Sequence, residues 1–436
     1  MYTKKYISTP YPLMALLAIA VLASCGRIDD PIITEEPVVE EIQEEIQETQ
    51  EEKIELIERR DVPLTKAQET MLAGNNEFAF SLFRECYSAS ESKSEDCFIS
   101  PLSVTSVLSL LSNGAKGQTN SNITSVLGFG SVGSEEANDF YGVVKEIGSL
   151  DPSSKFSLAN SILLDRPYSL APDFKEVSDN VYDALCENLD FTDQEGCSQH
   201  LNSWVAKQTN NLIESVPVQF SGNVSVITNT VYFKGLWKDK FKESSTIEED
   251  FHGADVKKVP MMSRVGACRF CSKDDYSAVV LPYGNEAFQM TVILPAEGTS
   301  LNQFVKGMDS EKWSGLESSM RDVNVSVKLP RFTTEWSSSI VPELQALGMD
   351  VALARSADFS GMIQGSADIF LSDVYHKSKI IVNESGTEAA AVTSGIATSA
   401  GPGAKIPELH ADRPFMYVIS EISTGAIMFL GSYSGR

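Results

Sequence analysis

The sequence predicts an α+β fold, because helical patterns dominate its first part and strand patterns dominate the rest. Apolar residues at helical spacing recur up to about residue 213, and alternating or β-branched segments then follow from Val224 to Ser432. A length of 436 residues would alone suggest two or three domains. Residues 63–436 nevertheless contain no Pro/Gly/Ser-rich linker and no internal repeat.

The helices are predicted from apolar spacing and from the residues that end it. An amphipathic helix begins after Asn75 with the residues FAFSLF at 78–83. Ser103–Leu111 is apolar enough for a buried helix, and Asn113–Gly114 closes it. A third amphipathic helix is expected over Asn202–Ile213.

The strands are predicted from alternation and β-branching. Val224–Phe233 is rich in β-branched residues, and Val323–Leu329 alternates strictly, which is typical of a half-buried strand. Two hairpins are expected, each joined by a short polar turn. They are Ala278–Pro282 with Phe288–Pro295, around the turn at Tyr283–Asn285, and Phe415–Ile419 with Ala426–Ser432, around the turn at Ser423–Gly425.

Charge excludes one class of partner. The chain has 35 basic and 60 acidic side chains, a formal net charge of −25. Such a surface repels phosphate backbones, so we expect no nucleic-acid partner.

The N-terminus has the pattern of an export signal. Lys4 and Lys5 precede the apolar run Leu13–Ala23, which is shorter than the roughly 20 residues of a comfortable membrane span. Leu22-Ala23-Ser24-Cys25 resembles the lipobox of bacterial lipoproteins. Residues 1–24 are therefore predicted to be a cleaved signal, and Cys25 to carry lipid such as palmitate. The alternative is an ordinary signal peptide with a chance cysteine.

Residues 25–62 are predicted to be a lipid-bearing cysteine followed by an acidic, flexible tether. Residues 1–61 contain 14 acidic and 6 basic side chains, and Glu-rich runs remain solvated. A coil of about 35 residues would reach on the order of 30 Å. We expect an exported, membrane-anchored protein at the cell surface or in the periplasm.

Seven cysteines are too few for a disulfide scaffold. Cys86 and Cys97 are 11 residues apart, as are Cys186 and Cys197, so both pairs are possible bridges in an exported protein. Connectivity does not follow from spacing. The lone CxxC at Cys268 and Cys271 is a weak zinc signal, and no metal site is predicted.

Motifs for catalysis are missing from the sequence. It has four histidines, no HExxH, no GxSxG and no GxxxxGK[ST]. An enzyme is therefore the least supported class, and no cofactor is implied.

Motifs in order along residues 65–436 resemble those of the serpin family. They are Asn76–Phe83, Phe98–Val104 continuing to Asn113–Thr119, Asn229–Trp237, Leu329–Phe332, Leu347–Met349, Asp358–Gly361, Asn383–Thr393 and Ala411–Met416. The resemblance implies one domain over residues 63–436, with eight to nine helices around three β-sheets and an exposed reactive-centre loop. It also implies a monomeric protease inhibitor, cleaved in the loop, that traps a serine or cysteine endopeptidase as the loop inserts into the central sheet.

Insertion makes a demand that the loop sequence can meet. Alternate side chains of a strand face inward, and burying an unpaired charge there is prohibitive. The inward set is small and uncharged: Thr387, Ala389, Ala391, Thr393, Gly395, Ala397 and Ser399. Glu388 falls in the outward set, which also contains Ala390. Without the resemblance, this segment would equally suit a flexible loop or a helix.

The resemblance assigns roles to particular positions. The hinge residues are Glu384, Gly386, Thr387, Glu388, Ala389, Ala390 and Ala391. Glu384 is expected to pair with Arg331 near the loop's entry point. Ser100, Ser103, Asn229 and His376 match the polar cluster called the shutter, and Trp237 would pack where the loop enters.

The cleaved bond is predicted from the hinge. Counting 17 residues from Glu384 to the family's cleavage position gives Ala400–Gly401, whereas counting back from Phe415 gives a position near Gly403. The hinge count is preferred because insertion length is mechanically constrained. Ala400 suits a small apolar S1 pocket, as in elastases. The alternatives are another small-residue or subtilisin-like protease, a trypsin-like protease cleaving at Lys405, and a non-inhibitory serpin acting as a binding module.

Overall fold

The computed structural model describes residues 57–130, 132–365, 371, 373–387 and 406–436. These residues belong to one compact unit, Ile54–Arg436. The predicted signal, Cys25 and most of the tether lie outside the described residues. So do loop residues 388–405, which include Glu388, Ala389, Ala390, Ala391, Ala400 and Gly401.

Nine α-helices are found in the described part of the chain. They are α1 (Lys66–Ser92), α2 (Pro101–Ser112), α3 (Gly117–Val126), α4 (Ser134–Ile147), α5 (Pro172–Asn180), α6 (Gln194–Gln208), α7 (Leu301–Lys306), α8 (Ser310–Ser319) and α9 (Val341–Ala346). A short 3₁₀ turn lies at Glu243–Ser245. In the described residues no helix is both long and apolar enough to cross a bilayer.

The strands form two hydrogen-bonded networks. The central sheet has the order β10-β11-β12-β4-β2-β3, and the other network has the order β1-β15-β14-β8-β7-β6-β9-β13, with β5 also on β6. The central strands are β2 (Ser154–Asp165), β3 (Leu185–Leu189), β4 (Ser225–Leu236), β10 (Phe332–Ser339), β11 (Tyr375–Asn383) and β12 (Gly386–Thr387). The others are β1 (Phe98–Ile99), β5 (Ile247–His252), β6 (Val256–Ser272), β7 (Tyr276–Pro282), β8 (Phe288–Pro295), β9 (Arg321–Pro330), β13 (Glu408–His410), β14 (Phe415–Glu421) and β15 (Ile427–Tyr433).

The predicted α+β class is confirmed. One strand, the 17-residue β6, takes part in two of the expected sheets. Its first part pairs with β5, its middle with β9 and its last residues with β7. Because β6 does not break, two of the expected sheets are joined into one network.

Helix α1 starts ten residues before the predicted amphipathic stretch. Thr65 Oγ1 accepts from the Gln68 N–H at 3.3 Å, and Gln68 Oε1 accepts from the Thr65 N–H at 2.9 Å. This capping box fixes the helix start.

The buried helix at Ser103–Leu111 is confirmed, and every residue of α2 is buried. Two of its serines donate to backbone carbonyls within the helix, Ser106 to that of Leu102 and Ser112 to that of Ser109.

Helix α6 begins and ends earlier in the sequence than predicted, at Gln194–Gln208 instead of Asn202–Ile213. Asp193 caps its start by accepting from the Gly196 N–H at 2.9 Å, and Asn210 and Asn211, both at positive φ, terminate it. Leu201 and Val205 of α6 pack on Leu163 and Val226 of the central sheet.

Both hairpins and both predicted single strands are confirmed within about three residues of their expected bounds.

Neither predicted disulfide is present, since all six cysteines in the described residues are free thiols. Cys186 belongs to the main hydrophobic core, whereas Cys197 belongs to the separate cluster that α6 forms with the central sheet. Cys86 and Cys97 are both completely buried, and burial raises the pKa of each thiol, which keeps them protonated and unreactive.

Candidate functional site

The central sheet contains a gap between β11 and β4. These strands pair in parallel at Tyr375–Ser378 with Thr228–Val231. Beyond that point none of the described strands lies between Lys379–Ile381 of β11 and Phe233–Lys234 of β4. Within the part of the chain that the structure describes, the two strands therefore separate in mid-sheet, and another strand can pair at that position.

The mouth of this gap holds the two-residue strand β12. Thr387 pairs with Val382 of β11 and with Gly235 of β4, antiparallel to both. The chain reaches this position through a tight turn, in which Asn383 Oδ1 accepts from the N–H groups of Ser385 (3.0 Å) and Gly386 (3.2 Å). The start of the loop thus already lies between the two central strands.

Gly386 is required by this approach. Its φ is +152°, and a Cβ added there would lie 2.1 Å from the Gly235 carbonyl oxygen. No side chain fits at that separation, so the turn depends on glycine.

The predicted ion pair between Glu384 and Arg331 is confirmed and is bidentate. Arg331 donates through Nη2 to Oε1 at 2.7 Å and through Nε to Oε2 at 3.1 Å. Thr246 Oγ1 donates to Oε1 at 2.6 Å. Burial raises the pKa of Glu384, but hydrogen bonds from Arg331 and Thr246 outweigh it and leave the pKa below its usual value.

Trp237 lies beneath the turn, as predicted. Its indole Nε1 donates to the Asn383 carbonyl at 2.9 Å, and its backbone N–H donates to the Ser385 carbonyl at 2.9 Å. The ring stacks on Tyr283 with centroids 4.4 Å apart. The hydroxyl of Tyr283 lies 2.8 Å from Thr387 Oγ1.

A shallow pocket of about 460 Å³ opens beside the turn. Its lining includes Glu243, Arg331, Thr333, Ile381 and Asn383. The pocket therefore lies against the turn at Asn383–Ser385 that leads into β12.

The four predicted shutter residues meet in one buried cluster below the gap. His376 and Asn229 are direct partners across β11 and β4, and His376 Nδ1 lies 2.8 Å from Asn229 Oδ1. Ser103 Oγ donates to the same oxygen at 2.8 Å, and the Ser100 N–H donates to His376 Nε2 at 3.2 Å. Because Nε2 accepts, the ring proton lies on Nδ1 and the imidazole is neutral.

Complete burial lowers the pKa of His376 to about 3. Between about pH 3 and pH 6.5 this histidine is therefore protonated in the unfolded chain, whose histidine pKa is near 6.5, and neutral in the folded protein. The contribution of this group to the unfolding free energy is complete above about pH 6.5 and falls by up to about 1.4 kcal/mol per pH unit as pH drops towards 3.

We expect His376→Gln to flatten the fall in unfolding free energy between pH 6.5 and 4.5, measured by urea denaturation. His200→Gln, which removes an exposed imidazole, controls for the substitution, and slopes equal to wild type in His376→Gln would contradict the prediction.

Three residues of the site were not anticipated in their roles. Asn160 Oδ1 accepts from Asn229 Nδ2 at 2.7 Å, Thr246 supports Glu384, and Tyr283 meets Thr387. Tyr283 was recognised as a turn residue, but its partner is 104 positions away, and nothing local in the sequence signals that contact. In the described residues no cluster of three or more His, Cys, Asp or Glu residues is arranged to hold a metal ion.

The site is thus a mixed sheet whose two central strands separate around Gly386–Thr387. The model of the Serpin family, described as serine protease inhibitor, matches residues 73–435. This chain belongs to the serpin family.

Known relatives agree with that assignment. Human leukocyte elastase inhibitor is 33% identical over 386 residues, covering 84% of this chain and 99% of the relative. Human Serpin B3 is 31% identical over 388 residues, covering 83% and 98%. The native-state crystal structure of tengpin, a thermophilic serpin, superposes with a TM-score of 0.78 at 27% identity, covering 87% of this chain and 98% of tengpin.

Proposed function

We propose that this serpin is a suicide inhibitor of an elastase-like serine endopeptidase, cleaved at Ala400–Gly401. In the proposed reaction the protease serine attacks the Ala400 carbonyl, the peptide bond to Gly401 breaks, and an acyl ester joins the two proteins. The observation that carries the proposal is the separation of β11 from β4 in the described part of the sheet, with Thr387 paired to both strands at its mouth.

The length of the gap supports this bond. Thr387 lies opposite Gly235, so a continuing antiparallel strand would pair residue 388 with 234 and reach Ser225, the end of β4, at residue 397. Cleavage after Ala400 leaves three residues beyond that end. The attached protease would then be held close to the end of the sheet where β4 begins. Cleavage after Lys405 would leave eight, a slack of roughly 27 Å at about 3.3 Å per residue.

Insertion must also separate β11 from β4 where the two strands are now paired. The four parallel pairs between β11 and β4 would separate, and with them the His376–Asn229 hydrogen bond that bridges those strands. Two antiparallel ladders would replace them. With about ten new hydrogen bonds at roughly 0.5–1.5 kcal/mol each, the gain is on the order of 10 kcal/mol, comparable with the whole stability of a protease domain.

The target class rests on Ala400 and on the relatives. A small apolar residue before the cleaved bond suits an elastase. Human leukocyte elastase inhibitor, whose name states such a target, is 33% identical to this chain.

The test incubates the purified protein with a pancreatic elastase and, in parallel, with trypsin. We expect an SDS-resistant conjugate with elastase, and mass spectrometry should identify a released peptide that begins at Gly401. Trypsin is expected to cleave after Lys405 without forming a conjugate. A conjugate with trypsin alone would move the target to the trypsin class, and cleavage by both without any conjugate would favour a binding module.

We also propose that Cys25 is lipidated and holds the inhibitor on a membrane of an exporting bacterial cell. The support is the lipobox-like Leu22–Cys25 and the acidic tether that follows it. An inhibitor held there would protect that membrane surface from attacking proteases.

A further inference from the structure

Tyr283 has a rigid setting at the mouth of the gap. It lies directly after β7 and is fully buried. Its ring stacks on Trp237 and meets the edge of Phe233 at 5.1 Å, while its backbone N–H donates to the Phe288 carbonyl at 2.9 Å. The position of the phenolic hydroxyl is therefore fixed by the core and not by the loop.

That hydroxyl meets one particular residue of the entering strand. Thr387 is also fully buried, and its Oγ1 lies 2.8 Å from the Tyr283 oxygen. Burial raises the pKa of Tyr283, so the phenol remains protonated and one of the two hydroxyls always has a proton to donate. The hydroxyl of Tyr283 has a hydrogen-bond partner in the loop only when a hydroxyl-bearing residue occupies the inward-facing position opposite it.

Neighbouring residues of the loop cannot replace Thr387. A slip of one residue would place Gly386 or Glu388 opposite Tyr283. Glycine would leave the phenol without a partner, and glutamate would bring a charge into a dry aromatic site. Either slip would also turn the whole inward set of small residues outward.

We propose that Tyr283 is a positioning residue that sets the register in which the loop enters the central sheet, by pairing its hydroxyl with that of Thr387. The inference rests on the proposed insertion mechanism and adds a residue to it. Correct register is what separates trapping from futile cleavage, because a misregistered strand stalls while the acyl ester is hydrolysed.

The test is a double-mutant cycle that removes each hydroxyl while keeping its side chain's shape. The proteins are wild type, Tyr283→Phe, Thr387→Val and the double variant, with Thr387→Ser as the conservative control. The readout is the stoichiometry of inhibition, the number of serpin molecules consumed for each elastase trapped. Each single variant leaves an orphaned buried hydroxyl, and we expect its stoichiometry to rise about five- to tenfold. The double variant has no orphan and should fall within about twofold of wild type, as should Thr387→Ser.

Two results would overturn the inference: a Tyr283→Phe protein indistinguishable from wild type, or single effects that simply multiply in the double variant. Multiplied effects would mean that each residue acts through core packing alone. A second readout does not require trapping: the rise in melting temperature after loop cleavage should be reduced in each single variant and restored in the double. If the wild-type protein trapped no protease but the melting temperatures of the four proteins showed this pattern, the proposed inhibition would be wrong and the assignment of Tyr283 to register would stand.

Discussion

Thr387→Arg is expected to abolish the covalent conjugate with elastase while leaving cleavage of the loop intact. Thr387 is fully buried between β11 and β4, with its hydroxyl against Tyr283. A guanidinium there would have no anionic partner, and transferring an unpaired charge into such a site is prohibitive. The loop would remain a substrate, because the cleaved bond is 13 residues away in sequence.

The chain offers a matched control one position further on. Glu388 belongs to the outward set of the alternating pattern, so Glu388→Arg introduces the same side chain with its head in solvent. We expect Glu388→Arg to form conjugate at close to the wild-type level on an SDS gel. A conjugate that persists in Thr387→Arg, or that disappears equally in both variants, would contradict insertion in this register.

Cleavage of the loop in the wild-type protein is expected to raise its melting temperature by on the order of 10–15 °C, since an unfolding entropy of about 2.1 cal/mol/K per residue makes each kcal/mol of the roughly 10 kcal/mol gain worth about 1.3 °C in a domain of about 370 residues. The physical source is hydrogen bonding of the inserted strand to the facing edges of β11, at Lys379–Ile381, and of β4, at Phe233–Lys234. Differential scanning calorimetry on intact and cleaved protein measures the effect.

The comparison protein for this measurement is cleaved Thr387→Arg, which should melt at the temperature of its intact form. An unchanged melting temperature in cleaved wild type would show that the loop stays outside the sheet. The central gap would then have no part in any inhibitory mechanism.

Local sequence predicted the elements whose signals are local. Strict alternation at Val323–Leu329 and the turn at Tyr283–Asn285 specified a strand and a hairpin without reference to distant residues. The start of α1 was missed because Thr65 and Gln68 form a capping box outside the apolar stretch. The joining of two sheets through β6 has no local signal, because the continuity of a 17-residue strand depends on which partners it finds along its length.

The candidate site divides in the same way. The pairing of Glu384 with Arg331 was expected only from the resemblance to the serpin family, and the structure contains it. The contact of Tyr283 with Thr387 joins residues with no shared motif, so it could emerge only from packing. The disulfide expectation failed for a related reason: equal spacing of 11 residues places Cys186 and Cys197 in different hydrophobic clusters.

The six buried thiols make this protein a convenient host for a reporter. Each cysteine in the described residues is at most 8% exposed, so a maleimide dye would find no competing site among them. A Cys25→Ser background carrying Ala390→Cys, a position in the outward set, would then accept a single fluorophore on the loop. Its change in emission as the segment becomes a strand would follow insertion in real time.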